Sequence, residues 1–151
     1  MLLWEKLAND MKAAMKARDA LRVSVIRLVR SEVRNAEIAK GAPLTEDEVM
    51  QVVAKEAKRR REAIEQFQKG NRADLVEKET AELQLLLQYL PEQLDQAEVV
   101  RIAREVISEL QAASKSDKGK VMSVLMQRVR GRADGKLVSQ IVDSLLGGSS
   151  A

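Results

Sequence analysis

Apolar residues recur at three- and four-residue intervals along almost the whole chain, and no stretch alternates apolar with polar as a strand does. Leu3, Leu7, Met11, Ala14 and Met15 fall on one face of a first helix. Asp19 is placed to cap a second helix that runs to about Lys40. In it Leu21, Val25, Ile26, Leu28, Val29, Val33 and Ala36 form a stripe roughly 160° wide, with Arg27, Arg30 and Arg34 projecting on the opposite side. Gly41-Ala42-Pro43 breaks the pattern. Thr45 with Glu48 has the spacing of a capping box and opens a third helix to Gln68, with Val49, Val52, Val53, Ala57, Ile64 and Phe67 inward. Gly70-Asn71 supplies a left-handed stop. A fourth helix spans Ala73 to Leu90 and ends at Pro91, which lacks an amide proton and clashes with the preceding turn.

Leu90-Pro91-Glu92-Gln93-Leu94 is the boundary candidate, giving an N-terminal helical domain over 1–91 and a C-terminal one over 92–151, with Pro91 as a stiff elbow where the two touch. Asp95 with Glu98 repeats the capping box. The helix it starts reaches about Gln111 and turns Val99, Val100, Ile102, Ala103, Val106, Ile107 and Leu110 inward. After the small and polar loop Ala112 to Ser116, Asp117 can cap a short helix carrying Val121, Met122, Leu125, Met126 and Val129. Gly131 to Gly135 turns the chain into a last helix with Leu137, Val138, Ile141, Val142, Leu145 and Leu146, and Gly147 to Ala151 reads as a frayed tail. The fold class predicted is all-α, four helices followed by three.

Composition narrows the chemistry. Among 151 residues there is no Cys and no His, so disulfides, thiolate or imidazole metal sites, Cys nucleophiles and Ser-His-Asp triads are excluded. No cofactor and no metal site are expected. No apolar run approaches the ~20 residues of a membrane-spanning helix. The opening Met1-Leu2-Leu3-Trp4-Glu5-Lys6 lacks a basic leader before an apolar core, which predicts a cytoplasmic protein without a membrane partner. The acidic residues that can be placed read as N-caps or helix-surface groups, no two of them on one apolar face, so no catalytic residue is assigned. Ser24 reads as a packing serine of the second helix.

The net charge of +3 conceals a pattern. Residues 12–34 carry a net +5, residues 46–98 a net −5 and residues 115–136 a net +5. Two basic blocks thus flank an acidic middle. In the last block Lys118 and Lys120 lead into one short helix, while Arg128, Arg130, Arg132 and Lys136 gather around a glycine-containing turn that lets a sugar-phosphate strand approach closely. Arg27, Arg30 and Arg34 form a secondary basic face. Lys58-Arg59-Arg60-Arg61, with Glu62 and Glu65 following, reads as surface helix pairs. Ser116-Asp117-Lys118-Gly119-Lys120 is no nucleotide loop, because Ser114 and Val121 stand where that loop needs glycine and Ser or Thr. Trp4, Phe67 and Tyr89 are the only aromatics, so RNA would be held through its backbone and shape rather than by stacked bases.

Ser114-Lys115-Ser116-Asp117-Lys118-Gly119-Lys120-Val121-Met122, Gly131-Arg132-Ala133-Asp134-Gly135 with Leu137-Val138, and the link Leu90 to Leu94 together resemble the signature of the YqeY-like proteins. Ser24 to Leu28 and Asn35 to Ile38 are similar to that family's first hairpin. The C-terminal part in turn resembles the tail domain of the B subunit of the tRNA-dependent amidotransferase, a helical module that helps hold tRNA. In that tail a proline commonly follows the turn's Ala-Asp, whereas here Gly135 does, as in the stand-alone group. The resemblance implies an RNA-contacting part without the catalytic cradle. The label attached to such proteins, a carbon–nitrogen ligase with glutamine as amido-nitrogen donor, implies an activity that this chain is not expected to carry by itself. The leading expectation is a non-catalytic protein that binds tRNA, or an amidotransferase or tRNA-charging complex. The alternatives are a protein–protein adaptor without RNA and an accessory of glutamine-dependent amidation.

Overall fold

The computed structural model describes residues 1–147, and every regular element among them is helical. The chain divides into two compact units, Met1–Pro91 and the part from Glu92 onward, each with its own core.

The first unit holds α1 (Leu3–Lys16), α2 (Ala20–Lys40), α3 (Glu46–Lys69) and α4 (Ala73–Leu87). Short-range chemistry sets their ends. The Asp19 carboxylate accepts from the Arg22 amide at 3.1 Å and opens α2. Gly41 closes it in the left-handed region at φ 77°, where a side chain would be strained. Thr45 and Glu48 exchange side-chain to backbone hydrogen bonds of 3.2 and 3.1 Å and start α3. At the α3–α4 corner it is Asn71 that takes the left-handed conformation, φ 55°, while Gly70 stays right-handed. α4 ends at Leu87, short of the predicted Leu90. Ahead of Pro91, which disfavours helical backbone at Leu90, the chain tightens into three-residue turns, Tyr89 to Leu86 and Leu90 to Leu87.

The core of this unit is Leu3, Leu7, Val25, Ile26, Val29, Val33, Val49, Val53, Ala57, Leu86 and Tyr89. The predicted inward stripes are wider than the faces covered. Met15 is 53% exposed, and Leu21 and Leu28 also reach solvent. In α3 no residue beyond Ala57 is fully buried. Ile64 and Phe67, predicted inward, are half-buried outside the core cluster because α4 covers that stretch of α3 on one side only.

The second unit contains α5 (Gln96–Leu110), a single 3₁₀ turn at Lys115–Asp117, α6 (Lys118–Val129) and α7 (Gly135–Gly147). The three helices pack pairwise around Val99, Ala103, Val106, Val121, Leu125, Val129, Val138, Ile141, Val142 and Leu146. The Asp95–Glu98 box closes with hydrogen bonds of 2.8 and 2.9 Å. Asp117 does not cap α6. Its carboxylate accepts instead from the amides of Ala113 and Ser114, at 3.0 and 3.3 Å, and closes the 3₁₀ turn. Leu110, predicted inward, is 40% exposed at the end of α5. Gly147 is the last residue of α7, and the rest of the predicted tail lies outside the described residues.

Candidate functional site

The six cations singled out in the second unit separate into two sets. Lys118 and Lys120 stand in the first turn of α6, while Arg128, Arg130, Arg132 and Lys136 surround the turn that follows it. α6 separates them: Lys120 and Arg128 are eight residues apart along it, about 12 Å. Several of these cations are already engaged. Lys118 Nζ lies 2.8 Å from Asp143 Oδ1 on α7. Arg128 forks onto Glu109 of α5 through both guanidinium nitrogens. That hydrogen-bonded pairing holds the Glu109 carboxyl below its ordinary range and raises Arg128. The Asp117 carboxyl is lowered by its backbone hydrogen bonds, to which the charge of Lys120 adds.

The turn itself is clamped. Leu94 N–H donates to the Arg132 carbonyl at 2.8 Å, Gln93 Nε2 donates to the Gly131 carbonyl at 2.8 Å, and Arg132 Nε donates to the Glu92 carbonyl at 3.3 Å. Gly131 has φ 73°, a left-handed conformation that suits glycine. Asp134 opens α7 by accepting the Lys136 amide at 3.4 Å. Arg130 and Lys136 are exposed on either side of this turn, and Arg132 is half-buried within it.

In the first unit Arg27 and Arg34 are exposed as predicted, but Arg30 does not project away. It is four residues after buried Ile26 and three before buried Val33, at the edge of the inward stripe. Its guanidinium lies 4.9 Å from the Trp4 ring centroid, a cation–π contact, and Nη1 reaches Met11 Sδ at 3.7 Å.

Two arrangements were missed by the sequence reading. Glu56, 1% exposed, is the buried charged residue of the first unit. Its carboxylate accepts from Arg59 Nη1 at 2.8 Å and Arg60 Nη1 at 3.3 Å, and Arg60 Nε lies 2.8 Å from Glu82 and 3.5 Å from Glu79 on α4. The Lys58 to Arg61 run is therefore not a plain surface row, and not every acidic residue is a cap or surface group. The available signal was position: Glu56 follows Val49 by seven residues and Val53 by three, on the inward stripe. The second arrangement joins Tyr89, whose hydroxyl donates to Asp10 Oδ2 at 2.5 Å, with Lys6 Nζ 5.4 Å from the ring centroid. Burial first, and the Asp10 carboxylate second, push the Tyr89 phenol well above its usual range. It serves as a fixed hydrogen-bond donor tying the end of the first unit to α1.

Among the described residues no group of three His, Cys, Asp or Glu is placed to hold a metal ion. No helix there is long and apolar enough to cross a membrane.

Comparison with known proteins matches residues 4–146 to the family described as Yqey-like protein. The chain is 29% identical over 145 residues to "Altered inheritance of mitochondria protein 41, mitochondrial" of Pyrenophora tritici-repentis, covering 94% of this chain and 80% of that protein. It is 35% identical to the protein of the same name from Lachancea thermotolerans, covering 73% of this chain and 60% of the relative. Against the Kluyveromyces lactis protein of that name identity is 43%, over 55% of this chain and 45% of the relative. The chain thus spans between about half and four-fifths of these relatives' lengths. The expectation of a cytoplasmic location is corrected here, because these relatives are named mitochondrial. Leader and hydropathy arguments separate secretion and membrane insertion from other fates, but they do not distinguish cytosol from organelle interior.

Proposed function

This chain belongs to the YqeY-like family, and on that footing we propose that it is a non-catalytic helical protein that associates with tRNA, or with the amidotransferase and tRNA-charging machinery that handles it, through the turn between α6 and α7. The observation that carries this reading is the clamped turn. Two hydrogen bonds, from Leu94 N–H and Gln93 Nε2, hold its backbone carbonyls, the Arg132 side chain adds a third to the Glu92 carbonyl, and Arg130, Arg132 and Lys136 lie within seven residues of one another. A rigid loop rich in arginine suits the phosphates of a structured RNA, since guanidinium presents a planar fork to phosphate oxygens. Similarity of this part to the amidotransferase tail supports the same reading. Lys118 and Arg128, which face Asp143 and Glu109, and Lys120, at the far end of α6, have a secondary part in this reading.

Those same ion pairs favour a second reading, a protein–protein adaptor that does not bind RNA. A tRNA mobility assay over a salt series separates the two. Phosphate contacts make the logarithm of affinity fall linearly with the logarithm of salt concentration, and replacing Arg130 and Arg132 by Ala lowers that slope by roughly one to two units. Absent or salt-insensitive binding favours the adaptor. An accessory role in glutamine-dependent amidation predicts a change in product yield when the protein is added to a purified amidotransferase, and a flat concentration series removes it.

A further inference from the structure

The face shared by α1 and α2 combines cations that no carboxylate answers with apolar side chains open to solvent. Many arginines elsewhere find acids, Arg22 with Asp19, Arg60 with Glu56, Glu79 and Glu82, Arg72 with Asp74, Arg101 with Glu105, and Arg128 with Glu109, although Arg18, Arg104 and Arg132 do not among the described residues. Among the described residues Arg27, Arg30 and Arg34 make no ion pair within 4.0 Å. Arg30 is the most telling. Its Nε is buried without a hydrogen-bond partner, and Nη1 meets only a thioether, a weak acceptor. Beside it lie half-buried Trp4 and Met11, with Met15 one turn further along α1 and 53% exposed.

The geometry points to a docking surface for an amphipathic helix of a partner protein that carries a row of acidic residues along one edge of its apolar face. Charge complementarity sets the acidic edge. The span from Arg27 to Arg34 is seven residues, about 10.5 Å or two helical turns. That matches carboxylates at positions i, i+3 or i+4, and i+7 of an opposing helix. Trp, Met and Arg are the side chains enriched where proteins bind proteins, and unbranched methionine adapts to the partner's apolar residues. RNA fits this face less well, because the guanidinium of Arg30 already covers the Trp4 ring on which a base would stack.

The test is an NMR titration of the full chain with two designed helical peptides that share one apolar face and differ only in carrying a glutamate or a lysine row. The glutamate peptide is expected to shift the Trp4 indole and the Met11 and Met15 methyl signals. Its affinity is expected to fall about tenfold or more with Arg27→Glu/Arg34→Glu, exposed positions whose replacement leaves the core intact. Arg130→Ala/Arg132→Ala is expected to leave this binding unchanged, which keeps the outcome separate from that of the tRNA assay. No shift at Trp4 and the two methionines up to millimolar peptide, equal response to both peptides, or response of these signals to a short RNA but not to the glutamate peptide would each overturn the assignment.

Discussion

Arg60 draws three carboxylates around one guanidinium, Glu56 from its own helix and Glu79 and Glu82 from α4. Its side chain is only 14% exposed and that of Glu56 only 2%, so water screens this cluster far less than it screens an exposed pair. Removing Glu56 leaves Arg60 largely buried but still facing two acids. Glu56→Ala is therefore expected to lower stability by about 2 kcal/mol, below the 3–5 kcal/mol of a pair fully orphaned, and Glu56→Gln by about half as much. Urea unfolding midpoints at constant slope measure both, and a Glu56→Ala midpoint equal to the wild type would show the cluster to be energetically neutral. A one-dimensional reading finds Arg59 and Arg60 next to glutamates and assigns them to solvent. Whether such a residue is buried depends on which part of α3 the α4 helix covers, and that is a property of two segments rather than one.

Elements announce themselves through their ends. Asp19, Thr45 with Glu48, and Asp95 with Glu98 cap the helices that they were read to cap, since capping is a contact between residues three apart. The Glu48 box carries an additional charge from the previous helix. Lys40 Nζ sits 2.6 Å from Glu48 Oε1 and is the main reason, ahead of the Thr45 hydrogen bonds, that this carboxyl falls from an ordinary 4.5 to about 2. A carboxylate depressed in the folded state adds stability that is complete above pH 4.5 and is lost as pH falls towards about 2. Glu48→Gln is expected to flatten the acid limb of the stability curve in that window and leave the part above it parallel to the wild type. An unchanged acid limb would mean that the Lys40 contact does not persist in solution. Asp117 has the right position to cap α6 but does not, because the amides of Ala113 and Ser114, just ahead of the 3₁₀ turn, take its carboxylate first.

At the scale of the whole molecule, the two cores share no residue, and the single tryptophan, Trp4, belongs to the first unit. Leu125 is fully buried at the centre of the second. Leu125→Ala, at a cost of about 3 kcal/mol, is expected to melt the second unit's helices at lower denaturant while Trp4 fluorescence keeps its wild-type midpoint. Coincident shifts of far-ultraviolet circular dichroism and Trp4 emission would show that the two cores unfold as one. The all-α class, most helix ends and most core positions were legible in the amino-acid order, because helical periodicity and capping are local and repeat within a few residues. Family membership was legible as well, carried by separated motifs in a fixed order. The destination of each charge was not. Coulomb attraction acts through space, so whether Arg128 meets water or Glu109, and whether Arg30 meets water or Trp4, was decided only when folding set one helix beside another.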